Sequence, residues 1–333
     1  MNARTLLVAL TLVMLALLTW QLRWVLLVLF GAVVLAVALD VLIEKLQKRT
    51  SWPRPLSLAV LLLVLLLVGG VVFQLLVPEL ITQVQQLGSL VPTAMEKLKS
   101  MLSSNPRLIN LEESFTELFS WERIQPLGSQ LLGFAGGAAN SLIQLLLMSL
   151  LAVLLALDPD SHRQMVIAVT PRPARQAMNE LLTKCRMALG GWLTGMTISA
   201  STVFVLTWGG LALLKAPLAL LSALLCGLLT FVPTIGPTAA SLLPLALALT
   251  VSPVLMIQVL VLRLILQNLE AFLLTPLLLS RTVNLLPTVA LMAQLSLGAL
   301  LGLPGVLLAL PLVVVLQVVM EQVVVEQIMD RWA

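Results

Sequence analysis

Charge is the scarcest ingredient of this chain: of 333 residues, 10% are Asp, Glu, Lys or Arg, while 60% are hydrophobic. A soluble domain carries about 25% charged residues. A soluble enzyme, a nucleic-acid binder and a disordered chain are therefore excluded at the outset. Histidine occurs once, at His162, and cysteine twice, at Cys185 and Cys226. That is too little for a disulfide framework, a Cys-rich metal site or most triad chemistry. The pattern G-x-x-x-x-G-K-[ST] is missing, as are H-E-x-x-H and G-x-S-x-G. The expectation is a protein that is not an enzyme, with no catalytic residues, no metal, no cofactor and no ATPase of its own. Tyrosine is absent, so tryptophan must supply much of any aromatic belt; Trp20, Trp24, Trp52 and Trp208 stand at the ends of apolar runs, as that role requires.

What the chain has instead is long apolar runs. Those able to span a bilayer, about 20 helical residues each, cover 4–22, 24–43, 56–77, 131–157, 191–214 and 253–279. Two more, 217–251 and 286–326, are interrupted, the first at Pro233-Thr-Ile-Gly236-Pro237 and the second at Gly302-Leu-Pro304-Gly305. Each half is short for an upright span, so each region is either a tight hairpin or a re-entrant loop. The fold class is all-α: a polytopic membrane protein of about eight spanning helices, some broken or paired in hairpins. Arg4 and the run behind it resemble a signal peptide, but no small-x-small cleavage site follows and Arg23 leads at once into 24–43. The two runs therefore read as a retained hairpin.

The charges that remain set an orientation. Residues 44–54 and 158–186 are net positive, whereas 78–130 holds six acids against four bases. Basic loops stay in the cytoplasm, which places both termini there and 78–130 on the opposite side. Three regions follow: membrane helices in 1–77, extracytoplasmic amphipathic helices in 78–130, and a membrane domain in 131–333. In the second, Leu80, Ile81, Val84 and Leu87 repeat at helical spacing, Met95, Leu98, Met101 and Leu102 repeat after Pro92, and Ser114 with Glu117 forms a capping box. Within the third, Asp158-Pro159 is an N-cap followed by proline at the first helical position. The chain then turns at Thr170-Pro-Arg-Pro173 and resumes as a basic amphipathic helix to about Leu189, lying on the membrane surface or serving a partner.

Almost every charge falls in a loop or at a span end. The exceptions are Arg263 and Glu270, which share one face of 253–279 with Gln267. A charge at the bilayer centre costs at least ~2.5–3.5 kcal/mol, so these three either line a path for solute or ion or act as polar glue between helices or subunits. At ~10 Å of axial separation Arg263 and Glu270 need not touch, and Gln267 is placed to bridge them. The broken runs point the same way. Pro233, Gly236, Pro237, Gly302, Pro304 and Gly305 interrupt helices at membrane depth, where freed backbone groups can line a transport path. Thr194, Thr197, Ser201 and Thr202 add hydroxyls that line a path or bond back onto their own helix.

The chain also resembles a known family. Phe231-Val-Pro233-Thr-Ile-Gly236-Pro237, with Pro244 after it, looks like the signature F-[IV]-P-x-[IL]-G-P…P of the AI-2E transporter family, the autoinducer-2 exporter-like permeases. Gln267-Asn-Leu-Glu270, Thr275-Pro276 and Val283-Asn-Leu-Leu-Pro287 resemble its second block, which continues through Gly298–Gly302 and Gly305 to Pro311. The resemblance implies a multi-spanning bacterial inner-membrane protein that assembles as a homo-oligomer, with a pentamer suggested. It also implies export of a small polar or amphiphilic solute such as autoinducer-2, or sodium/proton antiport. Many members carry His where this chain has Leu286, a departure that weakens the antiport reading if that His serves proton coupling, and many carry an aromatic where Thr234 stands. An oligomeric scaffold without transport activity is the remaining rival. The partners expected are the lipid bilayer, a small solute or ion, and further copies of the chain.

Overall fold

The structure is a computed structural model that describes residues 10–11, 13–14, 17–103, 138–232, 235–274 and 286–323, and its regular structure there is helical throughout. The helices are α1 (Arg23–Thr50), α2 (Arg54–Ser103), α3 (Ala138–Leu157), α4 (Pro159–Val169), α5 (Arg175–Leu213), α6 (Ala219–Leu229), α7 (Ile235–Val251), α8 (Pro253–Leu269, extended by a π turn Glu270–Leu274) and α9 (Pro287–Val319). Five helices among the described residues are long and apolar enough to cross a membrane, six if the bent pair α3–α4 counts as one span. The fold is therefore the all-α, multi-pass membrane class, with fewer upright spans in the described residues than the eight expected. Pro233, Thr234, Thr275, Pro276, Val283 and the Ser114–Glu117 capping box lie outside the described residues.

The chain divides into two compact units. The first joins 1–59, 140–190 and 292–333. In it α1 ends where Ser51 turns left-handed and returns its N–H to the Gln47 carbonyl, with Lys48 and Arg49 in the last turn complementing the helix dipole. The α3–α4 bend of 87° falls at Asp158. There the Asp158 carboxylate accepts from the Ser161 N–H at 3.1 Å and from its hydroxyl at 2.6 Å, and Pro159 opens α4. The N-cap read from the sequence is present in full. Hydrogen-bond donation by Ser161 holds the Asp158 carboxyl below its ordinary range.

The apparent length of α9 hides a reversal. Gly302 takes φ 65° and ψ −150°, a backbone state that essentially only glycine adopts. Beyond it Gly305 lies so close to the returning chain that a Cβ there would sit 2.2 Å from the Leu297 carbonyl oxygen. Residues eight apart in a straight helix are about 12 Å apart along the axis, so the two arms are packed side by side.

The second unit joins 60–139 and 191–291. Helix α2 runs unbroken from Arg54 to Ser103, through Pro78 and Pro92, instead of ending as a span and restarting as separate amphipathic helices. Helix α5 likewise continues without a break from its basic first turns into its apolar half, where Thr202 bonds back to the Ile198 carbonyl at 2.7 Å. Helices α6 and α7 form a hairpin. At 11 residues α6 is about 16 Å long and cannot cross a hydrocarbon core of about 30 Å. Its tip is as tight as that of α9: a Cβ on Gly236 would lie 1.9 Å from the Leu229 carbonyl oxygen.

Two side chains of α2 hold the open end of this hairpin. Leu218 precedes α6 in a left-handed conformation without a capping side chain. The orphan N–H of Leu221 is instead taken by Gln83 Oε1 at 2.9 Å, while Gln83 Nε2 is oriented by Glu79 at 2.7 Å. At the other arm of the hairpin, Lys97 donates its ammonium to the Thr250 carbonyl in the last turn of α7, where a cation suits the helix dipole.

Candidate functional site

Helix α8 starts immediately after α7. Ser252 caps it by accepting from the Leu255 N–H at 3.1 Å, with Pro253 in the first helical position. The two helices thus run back along each other, which sets Arg263, eleven residues past Ser252, beside the early turns of α7. Arg263 is 3% exposed. Its Nε donates to Ser241 Oγ at 3.0 Å, its Nη1 to Thr207 Oγ1 at 3.3 Å and its Nη2 to the Pro237 carbonyl at 3.3 Å. Ser241 in turn donates to the same Pro237 carbonyl at 2.8 Å. Arg263 therefore fastens the tip of the α6–α7 hairpin to α8, and through Thr207 to α5.

This places the sequence-derived residues in two groups. Arg263, Gly236 and Pro237 come together in one bonded cluster; Pro233 lies outside the described residues. Gln267 and Glu270 share the helix face of Arg263 and are half-buried. Neither side chain makes a hydrogen bond or ion pair with a described residue, and Gln267 does not bridge Arg263 to Glu270. Arg263 satisfies its donors on neutral oxygens, while the two polar side chains one and two turns along have no partner among the described residues. Glu270 opens the π turn, a distortion that is frequent at functional sites. Gly302, Pro304 and Gly305 form the reversal of α9 in the other unit.

Sequence reasoning missed a second constellation, in the first unit. It put nearly all charges at span ends, yet Asp40 lies within α1 and is 4% exposed. Its Oδ1 accepts from Arg54 and its Oδ2 from Arg186, and Arg186 also reaches Glu44. Arg54 donates its Nε to the Ala156 carbonyl at 2.9 Å, satisfying an orphan acceptor in the last turn of α3. The i, i+4 spacing of Asp40 and Glu44 was the one signal available; their arginines lie 14 and 146 residues from Asp40. Beside this network is a cavity of about 380 Å³ whose wall includes Arg54, Arg163 and Arg186 together with Val33, Val37 and Leu155.

Comparison with known proteins gives a consistent picture. A family model described as "AI-2E family transporter" matches residues 9–325. The chain is 25% identical over 283 residues to "Putative transport protein YrrI" of Bacillus subtilis (strain 168), covering 80% of this chain and 78% of that one.

Proposed function

Since the chain belongs to the AI-2E transporter family, we propose that it is a secondary or passive permease exporting a small polar or amphiphilic solute of the autoinducer-2 kind, as a homo-oligomer in a bacterial inner membrane with both termini cytoplasmic. The observation that carries this reading is the division of labour on α8. Arg263 is occupied in holding a broken helix, whereas Gln267 and Glu270 on the same face have no bonded partner among the described residues. Polar side chains inside a span are costly unless a solute, ion or subunit meets them. Gln267 and Glu270 contact the solute, Arg263 supplies the compensating charge two turns away, and the short hairpin brings helix ends to membrane depth.

Glu270→Gln tests it. Reconstituted in proteoliposomes, the variant loses solute flux while its elution on a sizing column and its thermal midpoint stay at the wild-type values. Undiminished flux would overturn the role of Glu270. Loss of the oligomer in place of flux would identify Glu270 as glue between subunits.

A further inference from the structure

We propose that the cavity of the first unit is a binding site for a small organic carboxylate, seated on the guanidinium groups of Arg54, Arg163 and Arg186. At about 380 Å³ the cavity falls within the size range of small-molecule sites, about 300–1,000 Å³, which are mostly apolar with a few placed polar groups. Its aliphatic wall suits a short hydrocarbon part. Its polar side has more donors than acceptors. Three guanidiniums carry five N–H groups each, fifteen in all. Their acceptors among the described residues are six: Ala156 O and Asp40 Oδ1 for Arg54, Asp40 Oδ2 and Glu44 Oε1 for Arg186, Asn179 O and Thr183 Oγ1 for Arg163.

The Nε of Arg163 is buried without any partner, and an unmet buried donor costs about 1–3 kcal/mol. The guanidinium N–H groups of the wall that have no acceptor among the described residues are the ones a ligand's oxygens meet. A cation finds less: both oxygens of Asp40 are held by arginines, Glu44 is engaged by Arg186, and Asp160 is exposed to solvent. The acids of the wall, Asp40, Glu44 and Asp160, balance its three arginines, and His162 directs its Nδ1 to the Asp158 carbonyl at 2.7 Å. A monoanion therefore enters a neutral, donor-rich pocket, where planar guanidiniums match a carboxylate in two-pronged fashion. Glu44 is the built-in competitor, since its half-exposed carboxylate occupies Arg186.

The site is independent of the α8 residues, and its test reads binding alone. Purified full-length protein in detergent at neutral pH is melted with excess hexanoate, hexylamine or hexanol. Hexanoate raises the midpoint by ~3 °C and the other two do not. Arg163→Gln loses most of the shift and Arg163→Lys recovers part of it. Glu44→Gln, which removes the competing carboxylate from a half-exposed position, tightens hexanoate binding several-fold. Equal shifts with hexylamine or hexanol would overturn the proposal, as would an undiminished shift in Arg163→Gln or weaker binding in Glu44→Gln. Palmitate distinguishes the source: a smaller shift than with hexanoate assigns a water-soluble carboxylate, a larger one a fatty acid drawn from the bilayer.

Discussion

Single side chains decide most of what is unusual here, and Asp40 is the clearest case. Buried between two arginines, it neutralises charge that has no other carboxylate of equal burial among the described residues of its unit. Asp40→Asn leaves Arg54 and Arg186 underpaired, and because both arginines are partly exposed the cost is about 1–3 kcal/mol; thermal unfolding in detergent measures the loss. Arg263 works differently, because its partners are neutral. Arg263→Met removes hydrogen bonds to a charged group, each about 1.5–3 kcal/mol, and frees the hairpin tip, so both flux and thermal midpoint fall. At Asp158 the prediction concerns pH. Its carboxyl is held below the ordinary 3.8 by Ser161, so the stabilisation is complete above that value and disappears as the pH falls through the folded value. In Ser161→Ala the carboxyl titrates closer to its ordinary value, which carboxyl NMR reads directly.

Among the elements, the hairpins were legible and the long helices were not. Gly236-Pro237 and Gly302-Leu-Pro304-Gly305 announced breaks because proline lacks a donor and glycine admits backbone states that other residues resist. The structure adds that both breaks are reversals with almost no room. Gly236→Ala and Gly305→Ala drive a methyl into backbone oxygen at 1.9 and 2.2 Å and should prevent stable folding, whereas Gly69→Ala, with nothing within 4 Å, should be neutral or stabilising by up to about 1 kcal/mol. Midpoints of the three purified variants check the contrast. Proline misled in α2, where Pro78 and Pro92 sit inside a continuous helix; a single lost hydrogen bond does not end a helix that tertiary contacts such as Gln83 and Lys97 hold in place. The Asp40 network was illegible for another reason. Helical spacing relates residues a turn apart, and nothing in a sequence marks a partner 146 positions away.

For the whole molecule, the apolar runs made the fold class certain, because no water-soluble packing could cover so much hydrocarbon. The helices keep that surface outward: Leu66 and Phe73 on α2 are 74% and 66% exposed, as lipid-facing side chains are. Leu66→Lys places a charge there at a cost of about 2.5–3.5 kcal/mol, and the fraction of protein resistant to carbonate extraction from membranes should fall, while Ser100→Lys, far along the same helix, leaves it unchanged. The candidate site was half legible, since spacing gave the shared face of Arg263, Gln267 and Glu270 but not which of them was already occupied. The 50-residue length of α2 has a mechanical consequence. At about 1.5 Å per residue it extends about 75 Å, more than twice the hydrocarbon thickness, and it grips both α6 and α7 at their open end. A rod of that kind is a lever: a torque applied to its far portion, by an antibody fragment or a chemical cross-link in the aqueous phase, reaches the hairpin without entering the membrane.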